Sequence, residues 1–186
     1  MRIVAGRFKG KSLDAPKGLA TRPTSDRVRE ALFNVLTHGA PQVDFEGLRV
    51  LDLFAGSGAL GLEAVSRGAR YCLFIEEDAS ARATIRRNVE GLGLTGVTKI
   101  WRRDATRLGP AGNLPPFGLV FCDPPYGQGL GALALQAAIN GGWLAPGAVA
   151  VLEEQADARP DWPEMLVEID RRRYGGTEIA IARFGD

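Results

Sequence analysis

Asp123, Pro124, Pro125 and Tyr126 follow the apolar run Leu119-Val120-Phe121-Cys122. An acid, two prolines and an aromatic residue are an unusual exit from a buried strand. Each proline fixes φ and lacks a backbone donor, so the peptide past Asp123 stays extended and offers bare carbonyl oxygens. The Asp123 carboxylate and the Pro124 carbonyl can accept the two hydrogens of an exocyclic NH2, while the Tyr126 ring stacks on the flat base that carries it. The pattern reads as a site for a nucleobase amine. A plainer reading stays open here, in which Pro-Pro ends a strand and Tyr126 packs locally.

A second cluster comprises Asp52, Ala55, Gly56, Ser57, Gly58 and Gly61, in the order strand, glycine loop, helix start. The three glycines satisfy G-x-G-x-x-G, and Glu76 ends the next strand, where an acid can hold a ribose diol. That pattern alone permits a dinucleotide-dependent oxidoreductase. Asp52 argues otherwise, because a carboxylate inside a buried strand is costly without a partner. An acid near the helix N-terminus is also unhelpful to a pyrophosphate. A cofactor with an ammonium group and a sulfonium, and no phosphate, fits better.

The elements that must carry these residues alternate from residue 48 onward. Strands are expected at 49–54, 71–76, 97–101, 118–123 and 148–153, with helices at 59–67, 78–92 and 130–140. Alternation of this kind predicts a mostly parallel sheet covered on both faces. The segments 165–173 and 177–184, around Gly175-Gly176, read as an antiparallel hairpin closing that sheet. Upstream, Thr24, Ser25 or Asp26 can cap a helix whose apolar face is Val28, Ala31, Leu32, Val35 and Leu36, with Arg27, Glu30 and Asn34 outside. His38, the only histidine, ends that helix as a favourable cap rather than a base. Residues 3–5 and 12–13 read as short strands around a glycine turn that presents Arg7, Lys9 and Lys11. The chain thus divides into a basic arm, 1–24, and a catalytic domain, 25–186.

A chain of 186 residues with 45% hydrophobic content can bury one core. No apolar run approaches a membrane span and the N-terminus lacks a signal-peptide core, so a soluble, cytoplasmic protein is expected. Cys72 and Cys122 lie in apolar runs without ligand spacing, which predicts reduced core residues and no metal. The net charge of +1 hides an asymmetry: through His38 there are eight Lys or Arg against three Asp or Glu, and beyond it fifteen against nineteen. The basic end is a candidate polyanion contact. No apolar helix face is left over, so a monomer is expected.

These residues together resemble the class I S-adenosylmethionine-dependent methyltransferases. The resemblance implies that Asp52 and the Ala55-Gly56-Ser57-Gly58 loop approach the methionine part of S-adenosyl-L-methionine, that Glu76 takes the ribose hydroxyls, and that Asp104 lies near the adenine amine. Asp123-Pro124-Pro125-Tyr126 is similar to the amino-methyltransferase motif of that class. The implied fold is α/β, a Rossmann-like sheet, mostly parallel with a C-terminal antiparallel hairpin, preceded by a small basic β arm. A narrower resemblance covers nearly the whole chain. Gly6-Arg7-Phe8-Lys9-Gly10-Lys11, followed by the run from Arg22-Pro23-Thr24-Ser25-Asp26 to Asn34, resembles the bacterial 16S ribosomal RNA guanine-N2 methyltransferases. It implies methylation of one guanine N2 in the small-subunit RNA, with an assembled or partly assembled subunit as substrate, and it places Thr24 over the cofactor. Arg22, Arg27 and Arg29 then join Arg7, Lys9 and Lys11 as candidate phosphate contacts, with salt bridges to Asp26 and Glu30 as the alternative for the first three. A DNA adenine-N6 methyltransferase, a nicotinamide-dependent oxidoreductase and a non-catalytic RNA-binding or ribosome-assembly module are the competing functions.

Overall fold

The computed structural model describes residues 1–17 and 24–185. Strands β1 (Arg49–Leu53), β2 (Tyr71–Ile75), β3 (Thr98–Trp101), β4 (Phe117–Cys122) and β5 (Leu144–Gln155) alternate with helices α2 (Ala59–Ser66), α3 (Ala79–Gly91) and α4 (Leu130–Asn140). Helix α1 (Asp26–His38) precedes them, and β6 (Leu166–Tyr174) and β7 (Thr177–Phe184) follow. The sheet has seven strands in the order β3-β2-β1-β4-β5-β7-β6. Strands β1 to β5 run parallel, β7 is antiparallel to β5, and β6 is antiparallel to β7.

Successive side chains in a strand point to opposite faces, so apolar runs buried on both sides build two cores. Val50, Cys72, Phe74, Leu119, Phe121 and Val151 join one core with residues of α1, α2 and α3. Leu51, Leu73, Ile75, Val120, Cys122 and Leu152 join the other, with α4 and Trp143. Both cysteines are free and buried.

Two expectations shift. Ser25 caps α1, its Oγ accepting from the Val28 amide at 3.2 Å, but the buried stripe is Arg29, Leu32, Phe33 and Leu36, and Val28, Ala31 and Val35 are only partly covered. Arg29 takes a place on the inner face, where an ion pair described below accompanies its burial. Strand β5 starts four residues before its expected first residue, since Leu144 pairs with Phe117 across a register shift in β4. The turn-like Ala145-Pro146-Gly147 hides that extension from a sequence reading.

The basic arm is not a free extension. Arg2 bridges to Ser12, and the amides of Ile3 and Leu13 donate to the carbonyls of Lys11 and Met1. Ile3 and Leu13 are buried in the core. The turn between them lies against the C-terminal half of α2: the Arg7 amide donates to the Ser66 carbonyl, the Phe8 amide to Ser66 Oγ, and Ser66 Oγ to the Ala5 carbonyl. Gly6, at φ +81°, is required there, because a Cβ would lie 2.0 Å from the Ser66 carbonyl oxygen.

Candidate active site

Sheet register brings the two clusters together. Leu53, the last residue of β1, pairs with Cys122, the last residue of β4, and with Ile75, the last of β2. The segments that leave these ends, 54–58, 123–129 and 76–78, therefore share one edge of the sheet. It is the carboxyl edge, at the point where strand order reverses between β1 and β4, which is where open α/β sheets bind ligands.

The loop of the first cluster turns through Gly56 (φ +59°) and Gly58 (φ +79°). The Gly56 amide donates to Glu76 Oε2 at 2.9 Å, and the Asp78 amide donates to Glu76 Oε1 at 2.9 Å. Glu76 is thereby fixed against the glycine loop. The same bond bears on the choice of cofactor, because the amide that would cradle a phosphate already faces a carboxylate. Asp52 lies beneath the loop, 1% exposed. Its Oδ2 accepts from the Gly61 amide at 3.0 Å, in the first turn of α2. Burial first, and the charge of Glu76 as a lesser cause, push its carboxyl well above the usual range. Through the Gly61 bond Asp52 ties β1 to the first turn of α2 beneath the loop. A Cβ at Gly61 would lie 2.5 Å from Cys72 Sγ and 2.6 Å from the Phe74 ring, so only glycine lets α2 close down on the sheet.

Asp104 follows β3 and caps a short 3-10 turn, Ala105–Arg107, its Oδ1 accepting from the Thr106 amide at 2.8 Å and hydroxyl at 2.7 Å. The Thr106 hydroxyl, and then its amide, hold this carboxyl below the usual range. Glu76 donates its amide to the Trp101 carbonyl at 3.1 Å, so Asp104 emerges beside Glu76 on the same edge.

In the second cluster Asp123 is half-buried, Pro124 buried, and Pro125 and Tyr126 exposed. Burial, then the charge of Glu153, raise the Asp123 carboxyl well above the usual range. Glu153 is a residue the sequence reading missed. It is 5% exposed near the end of β5, one residue past Leu152, which pairs with Cys122. Its Oε1 accepts from the Tyr126 hydroxyl at 3.3 Å and its Oε2 from the Thr24 hydroxyl at 2.9 Å. Tyr126 also bonds Thr177 Oγ1 at 2.9 Å. Thr24 is thus brought to the site from the far end of the sequence, although its tie runs to Glu153. An acid directly after the apolar run of a buried strand, one residue past the Leu152 that pairs with Cys122, is the sequence signal that could have found Glu153.

The basic residues separate into two groups. Arg7, Lys9, Lys11 and Arg27 are exposed. Arg22 lies outside the described residues. Arg29 is a correction: it is 0% exposed, bonds Asp26 Oδ1 at 3.0 Å and the Arg2 carbonyl, and sits 3.5 Å from Glu63 Oε2. A side chain enclosed in that pair does not reach RNA phosphate. Glu63, also unforeseen, accepts in addition from the amides of Val4 (2.9 Å) and Ala5 (3.0 Å) and from Arg67 Nε (3.0 Å).

Comparison with known proteins agrees with this geometry. The profile of a family described as conserved hypothetical protein 95 matches residues 1–183. The chain is 38% identical to YlbH of Bacillus subtilis over 184 residues, 97% of each chain. It is 36% identical to ribosomal RNA small subunit methyltransferase D of Escherichia coli over 157 residues, 84% of this chain and 76% of that one. The solved structure of yhhF from Escherichia coli superposes with a TM-score of 0.83 at 33% identity, covering 100% of this chain and 98% of that one.

Proposed function

From a chain that belongs to the conserved hypothetical protein 95 family, we infer a ribosomal RNA methyltransferase that moves the methyl group of S-adenosyl-L-methionine to the exocyclic N2 of one guanine in 16S RNA of the small subunit. The observation that carries this reading is the pairing of β1 with β4, which sets the glycine loop beside Asp123-Pro124-Pro125-Tyr126. The relative named ribosomal RNA small subunit methyltransferase D supports the substrate class.

The residues suit this cofactor by their chemistry. Glu76 already occupies the Gly56 amide, which disfavours a pyrophosphate, and the carboxyls on this edge favour a cationic ligand. A Cβ at Gly56 would meet nothing nearer than the Phe54 carbonyl oxygen at 4.0 Å, so the loop's outer side is open to an approaching molecule. Glu76 would hold the ribose hydroxyls, Asp104 the adenine amine, and the Ala55-Gly56-Ser57-Gly58 backbone the methionine part, with Asp52 supporting from beneath. The cofactor supplies a methyl group already activated on a sulfonium.

The chain's own work is then to position the acceptor. The target base leaves its stack to enter the pocket. Asp123 and the Pro124 carbonyl accept the two NH2 hydrogens, which aims the nitrogen lone pair, and the Tyr126 ring stacks on the purine. Asp123 can also take the proton that N2 sheds. Rate enhancement comes from orientation and fixed charge rather than from a nucleophile of the protein. Arg7, Lys9, Lys11, Arg22 and Arg27 would meet phosphate around the target. A cytoplasmic monomer is the state that goes with this function.

The test is transfer of labelled methyl to small ribosomal subunits, with free ribosomal RNA and duplex DNA in parallel. N2-methylguanosine recovered from the subunit RNA is the expected product. Label in DNA alone would keep the Asp123 chemistry and overturn the substrate. No label anywhere, with cofactor bound, would leave a binding or assembly module.

A further inference from the structure

Glu153 joins three parts of the chain that are far apart in sequence. Thr24 precedes α1, Tyr126 follows β4, and Thr177 opens β7, yet the Thr24 and Tyr126 hydroxyls meet at this one buried acid and the Thr177 hydroxyl reaches it through Tyr126. The bonding is directional. As a carboxylate Glu153 only accepts, so both the Thr24 and Tyr126 hydroxyls donate to it, and the Thr177 hydroxyl donates in turn to the Tyr126 oxygen. The Tyr126 ring, 38% exposed and on a loop, is thereby held at its far end by two bonds. Without them a side chain so placed would sample several rotamers.

We propose that Glu153 is a positioning residue, which bridges Thr24 to Tyr126 and so fixes the Tyr126 ring as a platform for the target base. The proposal rests on the stacking role given above to Tyr126. It accounts for a polar residue at a buried strand end: apolar residues could fill that space, but only a side chain ending in two hydrogen-bonding atoms can hold two hydroxyls from opposite sides.

Glu153→Leu, Glu153→Gln and the parent chain are compared in methyl transfer to the small subunit and in NMR of ring-labelled tyrosine. Leu keeps the volume and removes both bonds. Gln accepts from one hydroxyl at its oxygen and donates from its NH2 to the other, so it can keep the bridge without the charge. In Glu153→Leu we expect kcat to fall by about tenfold or more, as misplacement of reacting groups does, with cofactor affinity unchanged. The Tyr126 ring resonances should shift and average in that variant, and Glu153→Gln should restore both readouts. Parent-like kcat and resonances in Glu153→Leu would overturn the proposal, and so would an equal loss in Glu153→Gln, which would make charge the requirement. Should Glu153→Leu not fold, Tyr126→Phe cuts the same tether from its other end and should also lower kcat; a parent-like kcat there would refute the bridge. If the parent chain itself transfers nothing to guanine, the functional reading fails, and the resonances still decide whether Glu153 holds Tyr126.

Discussion

Glu63→Gln should be among the most damaging single changes in the chain, although it alters no volume. The carboxylate is fully buried and faces only donors: two backbone amides of the arm, Arg67 and Arg29. An amide in its place turns an NH2 toward one of those donors and leaves Arg29 buried beside the exposed half of an ion pair with Asp26. Breaking a buried pair by removing one partner costs about 3–5 kcal/mol. With an m-value of about 2 kcal/mol/M in urea, the unfolding midpoint should fall by about 1.5–2.5 M. Equilibrium urea unfolding followed by tryptophan fluorescence measures this. Amide exchange at Val4 and Ala5 supplies the local readout, and both should lose protection. Adding Arg29→Met should recover part of the loss, because the unpaired cation goes while one of the two arm amides stays unsatisfied. A midpoint within about 0.3 M of the parent's, well under 1 kcal/mol at that m-value, would refute the claim that the arm is held by this acid.

Asp123→Ala should lower methyl transfer by about 10²-fold or more, the usual scale for a positioned acceptor, with cofactor affinity by calorimetry little changed; near-parent turnover would remove Asp123 from the mechanism. Because burial raises its carboxyl and the ionised form is the better acceptor, the rate should rise with pH through a limb lying above the usual carboxylate value of about 4; a limb at or below that value would contradict the placement. Asp52, also raised, keeps its proton in the folded chain at pH values where the unfolded chain has released it, so it makes stability decline as pH rises from about 4 toward its own titration. Asp52→Asn should flatten that decline in thermal unfolding across pH, and an unchanged slope would count against it. Gly61→Ala should cost about 1–3 kcal/mol through overpacking on Cys72 and Phe74, read as a lowered Tm with no change in fold by circular dichroism.

Most of the fold is legible in the sequence because its strands are buried on both faces. Runs such as Leu119 to Cys122 are apolar without interruption, and the turns between them carry glycine and aspartate. The two site clusters are legible for a related reason, since each sits where a strand ends and local chemistry has no other use for an acid or a Pro-Pro pair. What escapes is burial created by distant segments. Glu63 and Arg67, four apart on a helix, look like a solvated surface pair. Residues 59–65 are nonetheless apolar almost all round, a sign that the helix is enclosed, and it is the arm that encloses it. The burial of Arg29 is hidden for the same reason: its bridge to Asp26 is local and is the sequence's own alternative to a phosphate contact, but its second partner, Glu63, comes from a helix more than thirty residues away. Glu153 is hidden by its neighbour Glu154, half-buried beside it, which makes the pair look like the polar end of a strand.

Helix α2 works as a spacer of fixed length. Its first turn is clamped to the cofactor loop by Asp52, and its last turn to the basic arm by Glu63 and Ser66. Eight helical residues span about 12 Å, so if Arg7, Lys9 and Lys11 meet RNA phosphate as proposed above, that backbone is held at a set offset from the methyl group. A single added turn would move the grip by about 5.4 Å and put it out of step with the methyl group. Register on the substrate would then be written in the length of one short helix.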